Sequence, residues 1–178
     1  MDQNKKVNAA IVFWAKKFKR ENIPFGILKI QKFLWYAQIL SWDKYKKFIF
    51  KNLKFQAWRY GPLNVDSWKE WRTFLNPDNQ ENNIDWEKKL NQKNNFNKWT
   101  SDEQQILNLI FEKKKNTNGW GLAIETHFHK PYIDARRKGG ASEETAKSFE
   151  KLKIEEIDNK NIQKASQKIV QTYIYENE

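Results

Sequence analysis

The stretch "GILKIQKFLWYAQILSW", residues 26–42, constrains the fold more than any other part of the chain. Ile27, Ile30, Leu34 and Ala37 recur at helical steps, and Phe33, Trp35, Tyr36 and Leu40 widen that stripe until most sides are apolar. A helix of this kind, running roughly from Phe25 to Trp42, is stable in water only when other elements surround it. Gln31 and Gln38 share one of its faces, and once buried each amide needs hydrogen-bond partners. The stretch therefore predicts a helical domain wrapped around one central helix.

The flanking segments fit that plan. Val7, Ala10, Ile11, Trp14 and Phe18 form the apolar stripe of a first helix. "ENIP" ends it, because Pro24 moves Ile23 away from helical geometry. The period then becomes two: Phe48 and Phe50, followed by Leu53, Phe55 and Ala57. This predicts a small β-hairpin near residues 47–60, turning around "KN" and stopped by Gly61-Pro62. Asn64 is placed to cap a short helix that brings Val65, Trp68, Trp71, Arg72 and Leu75 near one stripe. Residues 76–99 are rich in Asn and read as a mobile connection with at most a marginal helix near Trp86 to Leu90.

Thr100 or Ser101 caps the next helix, with Glu103 or Gln104 completing a capping box. Gly119 is available for a left-handed stop after it. "WGLAIETHFHKPYIDARRKGG" reads as a helix, a break at "HKP", and a second helix opened by Pro131. Beyond it lies a weak segment with room for a short extended piece. Ile162, Ala165, Ile169 and Tyr173 then mark a terminal helix. The fold class expected is mainly α, with about six helices in one compact domain covering 1–178.

Composition narrows the function classes. The 39% hydrophobic and 15% aromatic content is too apolar for a disordered chain. No apolar run is long enough to span a bilayer. The N-terminus lacks a leader pattern, so a cytoplasmic protein without membrane contact is expected. The absence of cysteine excludes thiolate catalysis, disulfides and cysteine-ligated metals. A formal charge of +11 points to an anionic partner, but the lysines are scattered and far outnumber the arginines used to read bases. Nucleic acid is therefore a partner to test and not the favoured one.

Both histidines fall in "IETHFHKPYIDARR", with Glu125 and Asp134 close by. On a helix His127 and His129 point about 200° apart, whereas metal ligands need steps of three or four residues. Glu125 and His129 have that step but no third ligand, so an ordinary helix-surface pair is expected, with His127 capping the break or packing inside. There is no phosphate loop and no patterned nucleophile, and no catalytic residue, cofactor or metal is expected. "AWRYGPL" interleaves aromatics with arginine, as interface hot spots do. Arg59, Tyr60, Trp68 and Trp71 are accordingly the candidate partner-binding residues. Nine tryptophans are more than one core absorbs, which also favours a contact surface.

Three segments together resemble the Panacea domain, the SocA-like antitoxin family. "LKIQKFLWYAQ" is similar to its "LKLQKLLYYAQ" helix, and "FQAWRYGPL" to its "FEAWRYGPV" segment. "LAIETHFHKPYIDAR" resembles its "LSELTH…PW…AR" segment, with Tyr132 in place of the usual tryptophan and no counterpart for His129. The resemblance implies a mostly helical, non-enzymatic antitoxin that neutralises a cognate protein toxin by direct binding. Some members hand the toxin to an energy-dependent protease, and others are phage-associated accessory proteins. The shared motif residues here are Lys29, Gln31, Lys32, Tyr36, Gln38, Trp58, Arg59, Tyr60, Gly61, Pro62, His127, Pro131 and Arg136, most of them expected to be structural. On this reading His127 fixes the helix–break–helix joint and His129 is a surface residue.

Overall fold

A computed structural model describes residues 3–76, 86–93, 98–139 and 147–151. The chain is mainly helical, with seven helices among the described residues. These are α1 (Gln3–Arg20), α2 (Ile27–Tyr45), α3 (Val65–Trp71), α4 (Trp86–Lys93), α5 (Ser101–Lys114), α6 (Gly119–His127) and α7 (Lys130–Lys138). Three short antiparallel strands, β1 (Gln56–Trp58), β2 (Gly61–Leu63) and β3 (Lys147–Lys151), form a sheet in the order β2-β1-β3. The terminal helix expected around Ile162–Tyr173 lies outside the described residues, as does most of the connection 76–99 apart from α4.

Helix α2 is the central element and packs against α1, α3, α5, α6 and β2. Eleven of its residues are buried, which fits its apolar circumference. Trp14 meets Phe33 edge-on at 5.4 Å, and Phe18 contacts Phe25, Phe33 and Phe111 at 4.9–5.3 Å. This cluster joins α1, α2 and α5. The Trp14 indole N–H donates to the Leu107 carbonyl at 3.0 Å, so even the polar edge of that ring is satisfied.

The two glutamines find the partners their burial demands. Gln31 donates to Ser67 Oγ at 2.9 Å and accepts from the Asn64 N–H at 2.9 Å, fixing the start of α3. Asn64 caps α3 by accepting from the Ser67 N–H at 2.9 Å. Thr100 and Glu103 form the capping box at the start of α5. Gly119 does not stop α5. Asn118 caps a new helix there, accepting from the Gly121 N–H at 2.8 Å, and Gly119 is its first residue.

The hairpin is displaced from residues 47–60 to Gln56–Leu63, paired Gln56↔Leu63, Ala57↔Pro62 and Trp58↔Gly61. The cause is Gln38. Its side-chain amide donates to the Phe50 carbonyl at 2.8 Å and accepts from the Phe50 N–H at 3.0 Å, supplying both bonds that a strand partner would have made. Phe48 and Phe50 are thus held in an irregular segment. Asn52 in the "KN" turn takes φ 59 without strands on either side. Gly61-Pro62 does not end the hairpin but begins its second strand.

Candidate functional site

The hairpin, the first two turns of α2, α3 and α6 enclose a groove of about 480 Å³. Trp58 and Trp68 pack at 5.4 Å along one wall, and the Arg72 guanidinium lies over Trp68 at 4.6 Å. Tyr60 meets Trp120 edge-on at 4.9 Å on another wall, with the Arg59 guanidinium 5.6 Å above the Tyr60 ring. Ile27, Leu28 and Leu63 complete the apolar lining. Tyr60 is 44% exposed and Trp120 58% exposed, so large aromatic surface faces water at the mouth. Arg59, Tyr60 and Trp68 are therefore brought together. Trp71 is not: it is buried in the core, stacks near Phe74, and donates its indole N–H to Asn8 Oδ1 at 2.8 Å.

Under the groove floor sits Lys32, fully buried, its ammonium donating to the Pro62 carbonyl at 2.8 Å. Burial pushes its pKa down to about 7. The sign follows from desolvation: an unfolded lysine near 10.5 holds its proton more tightly than this one, so the penalty grows as pH falls from 10.5 to about 7. At neutral pH it is on the order of 4 kcal/mol, more than the roughly 2 kcal/mol a hydrogen bond from a charged donor returns. Lys29, one turn earlier on α2, has a clear structural role. It donates to the Lys115 carbonyl at 2.5 Å at the end of α5 and lies 4.6 Å over Phe18.

Helix α7 locks the hairpin from behind. The Tyr132 hydroxyl donates to the Trp58 carbonyl at 2.8 Å, and its ring packs with Ala57 and Ala135. Arg136 donates to the Ala57 carbonyl at 3.4 Å, and Pro131 is buried in the first turn. Gly61 carries φ 91, and a Cβ there would lie 2.4 Å from Thr126 Oγ1 and 2.9 Å from Lys32 Nζ. The hairpin therefore sits in close backbone contact with α6 and α2.

The histidine segment corrects the expectation drawn from its spacing. Helix α6 ends at His127, so the two imidazoles do not share a helix. His129 is the buried one: its Nδ1 accepts from the Trp35 indole N–H at 2.8 Å, and its carbonyl accepts from the Tyr132 and Ile133 N–H groups. His127 stacks flat on Tyr132 at 4.8 Å. Glu125 pairs not with His129 but with the Tyr36 hydroxyl at 2.7 Å and the Lys114 ammonium at 2.5 Å. Asp134 pairs with Lys130 one turn earlier. Among the described residues, no three His, Asp or Glu side chains cluster as metal ligands would.

The Trp35 bond requires a neutral imidazole with its proton on Nε2. Burial, helped by the Lys114 charge, lowers the His129 pKa from 6.5 to about 4. Its contribution to stability is complete above pH 6.5 and is lost as pH falls toward 4. Between about pH 7.5 and 5 the protein should lose about 2 kcal/mol through this group. Urea unfolding at the two pH values measures it, and His129→Asn, which keeps an acceptor but does not titrate, should flatten the slope.

The fold and site define a class: a small, mainly helical domain with an open aromatic groove beside a glycine-locked hairpin. Residues 30–133, more than half of the 178-residue chain, match the family model described as antitoxin SocA-like, Panacea domain, and the chain belongs to that family. No curated protein and no solved structure matches it. The groove residue that the motifs missed is Trp120. The available signal was its four-residue spacing to Ile124 and Phe128, which together form an exposed stripe opposite buried Leu122, Ala123 and Thr126.

Proposed function

We propose that the protein is a non-enzymatic antitoxin that neutralises a cognate protein toxin by direct binding at this groove. Membership in an antitoxin-like family supports the role. The observation that carries the placement is the exposed Tyr60–Trp120 pair over an apolar groove flanked by Arg59. Tyr, Trp and Arg are the side chains that dominate interface hot spots, and an interface of standard size buries about 1,600 Å² in total. In this reading the bound toxin is either held inactive or passed to an energy-dependent protease in the cytoplasm. The toxin's half-life with and without the antitoxin separates those two outcomes. No described helix is long and apolar enough to cross a membrane.

The test is co-expression with the product of each gene that lies beside this one in its genome. A product toxic alone and silent with this protein supports the proposal, and continued toxicity overturns it. The +11 charge favours a second reading, nucleic-acid binding in an autorepressing or phage-associated accessory role. That reading requires a defined site and a steep fall in affinity with salt.

A further inference from the structure

We infer that the groove receives a protein segment carrying an apolar side chain beside a carboxylate, the apolar group entering between Trp58, Trp68 and Trp120 and the carboxylate meeting Arg59 at the rim. The inference rests on the groove being the toxin-binding surface and adds the chemistry of what it binds. Its first support is size: about 480 Å³ is within the usual range for sites that enclose a small ligand, or two or three side chains. Its second is charge. Among the lining residues the ones that carry charge are Arg59, always a cation, and Lys32, about half protonated at neutral pH, with no acid to neutralise them.

Arg59 is exposed and lies over the Tyr60 ring, an arrangement that leaves the planar N–H fork available for a bidentate carboxylate. When protonated, Lys32 adds positive potential from beneath the floor, through protein rather than water, so it is weakly screened, and a bound carboxylate favours that protonated form. Among the described residues its ammonium uses one of three donors, on Pro62. A hydrophobic wall around an ion pair strengthens it further. These features together favour an acidic, apolar peptide over a nucleic acid, which asks for a track of surface cations to match its repeated phosphates.

The experiment uses two probes, 3-(indol-3-yl)propionate and its uncharged amide, titrated into the full chain and followed by the indole N–H resonances. The carboxylate should bind at least about tenfold more tightly than the amide, as a charge-assisted bond predicts. Arg59→Gln should remove most of that preference, Lys32→Met should reduce it, and Trp120→Ala should weaken both probes alike. Equal affinity for the two probes, or a preference intact in Arg59→Gln, overturns the inference. So does displacement of the probe by a short oligonucleotide, or by a second copy of this chain seen as self-association lost in Trp120→Ala. With the toxin in hand the two readings separate. Binding lost in Trp120→Ala but unchanged in both Arg59→Gln and Lys32→Met keeps the groove and overturns the carboxylate. Binding unchanged in Trp120→Ala overturns the groove itself.

Discussion

The double variant Tyr60→Ala/Trp120→Ala should fold normally and bind its toxin about a thousandfold more weakly, since each truncated hot spot costs about 2 kcal/mol. Both rings stand at the groove mouth, packed edge-on against each other at 4.9 Å. Neither belongs to the buried core around Trp14, Phe18, Phe33 and Phe111. Their removal therefore takes away surface that water now covers, with little change in the packing beneath. Circular dichroism and the urea midpoint should match the wild type while calorimetric affinity collapses. A variant that binds as tightly as the wild type would place the interface elsewhere.

Gly61→Ala should have the opposite profile, a large loss of stability of about 3 kcal/mol. The left-handed φ of 91 costs an L residue about 1–2 kcal/mol, and forcing a methyl group into a packed site adds about 1–3. The nearer obstacle is Thr126 Oγ1, which donates to the Ala123 carbonyl at 2.8 Å and has little freedom to retreat. The other is the Lys32 ammonium, which would have to leave the Pro62 carbonyl. Urea unfolding checks this. A loss below about 1 kcal/mol would mean that β2 does not lie against α2 and α6 as described.

Local chemistry was legible in the sequence where it decides the outcome alone. The α1 stripe, the apolar circumference of α2, the Asn64 cap and the Thr100–Glu103 box all depend on residues within a turn or two of each other. The need of Gln31 and Gln38 for partners was legible too, but not who those partners are. That gap moved the hairpin. Alternation from Phe48 to Ala57 is real, yet Gln38, far along the central helix, occupies the backbone groups of Phe50. The exchange of roles between the histidines has a similar origin. Ending α6 at His127 turns His129 inward to a tryptophan 94 positions away in sequence, a contact no local pattern encodes. Arg59, Tyr60 and Trp68 could be picked by residue type, whereas Trp71 has the same type and a core position.

The most direct test of the account is site-specific photo-crosslinking in the antitoxin–toxin complex. Benzoylphenylalanine placed at position 120 reports on the groove, and at position 44 on the other end of α2, about 24 Å along the helix from Leu28. The account predicts a toxin adduct from position 120 and none from position 44. An intact complex that crosslinks from position 44 and not from position 120 would contradict it.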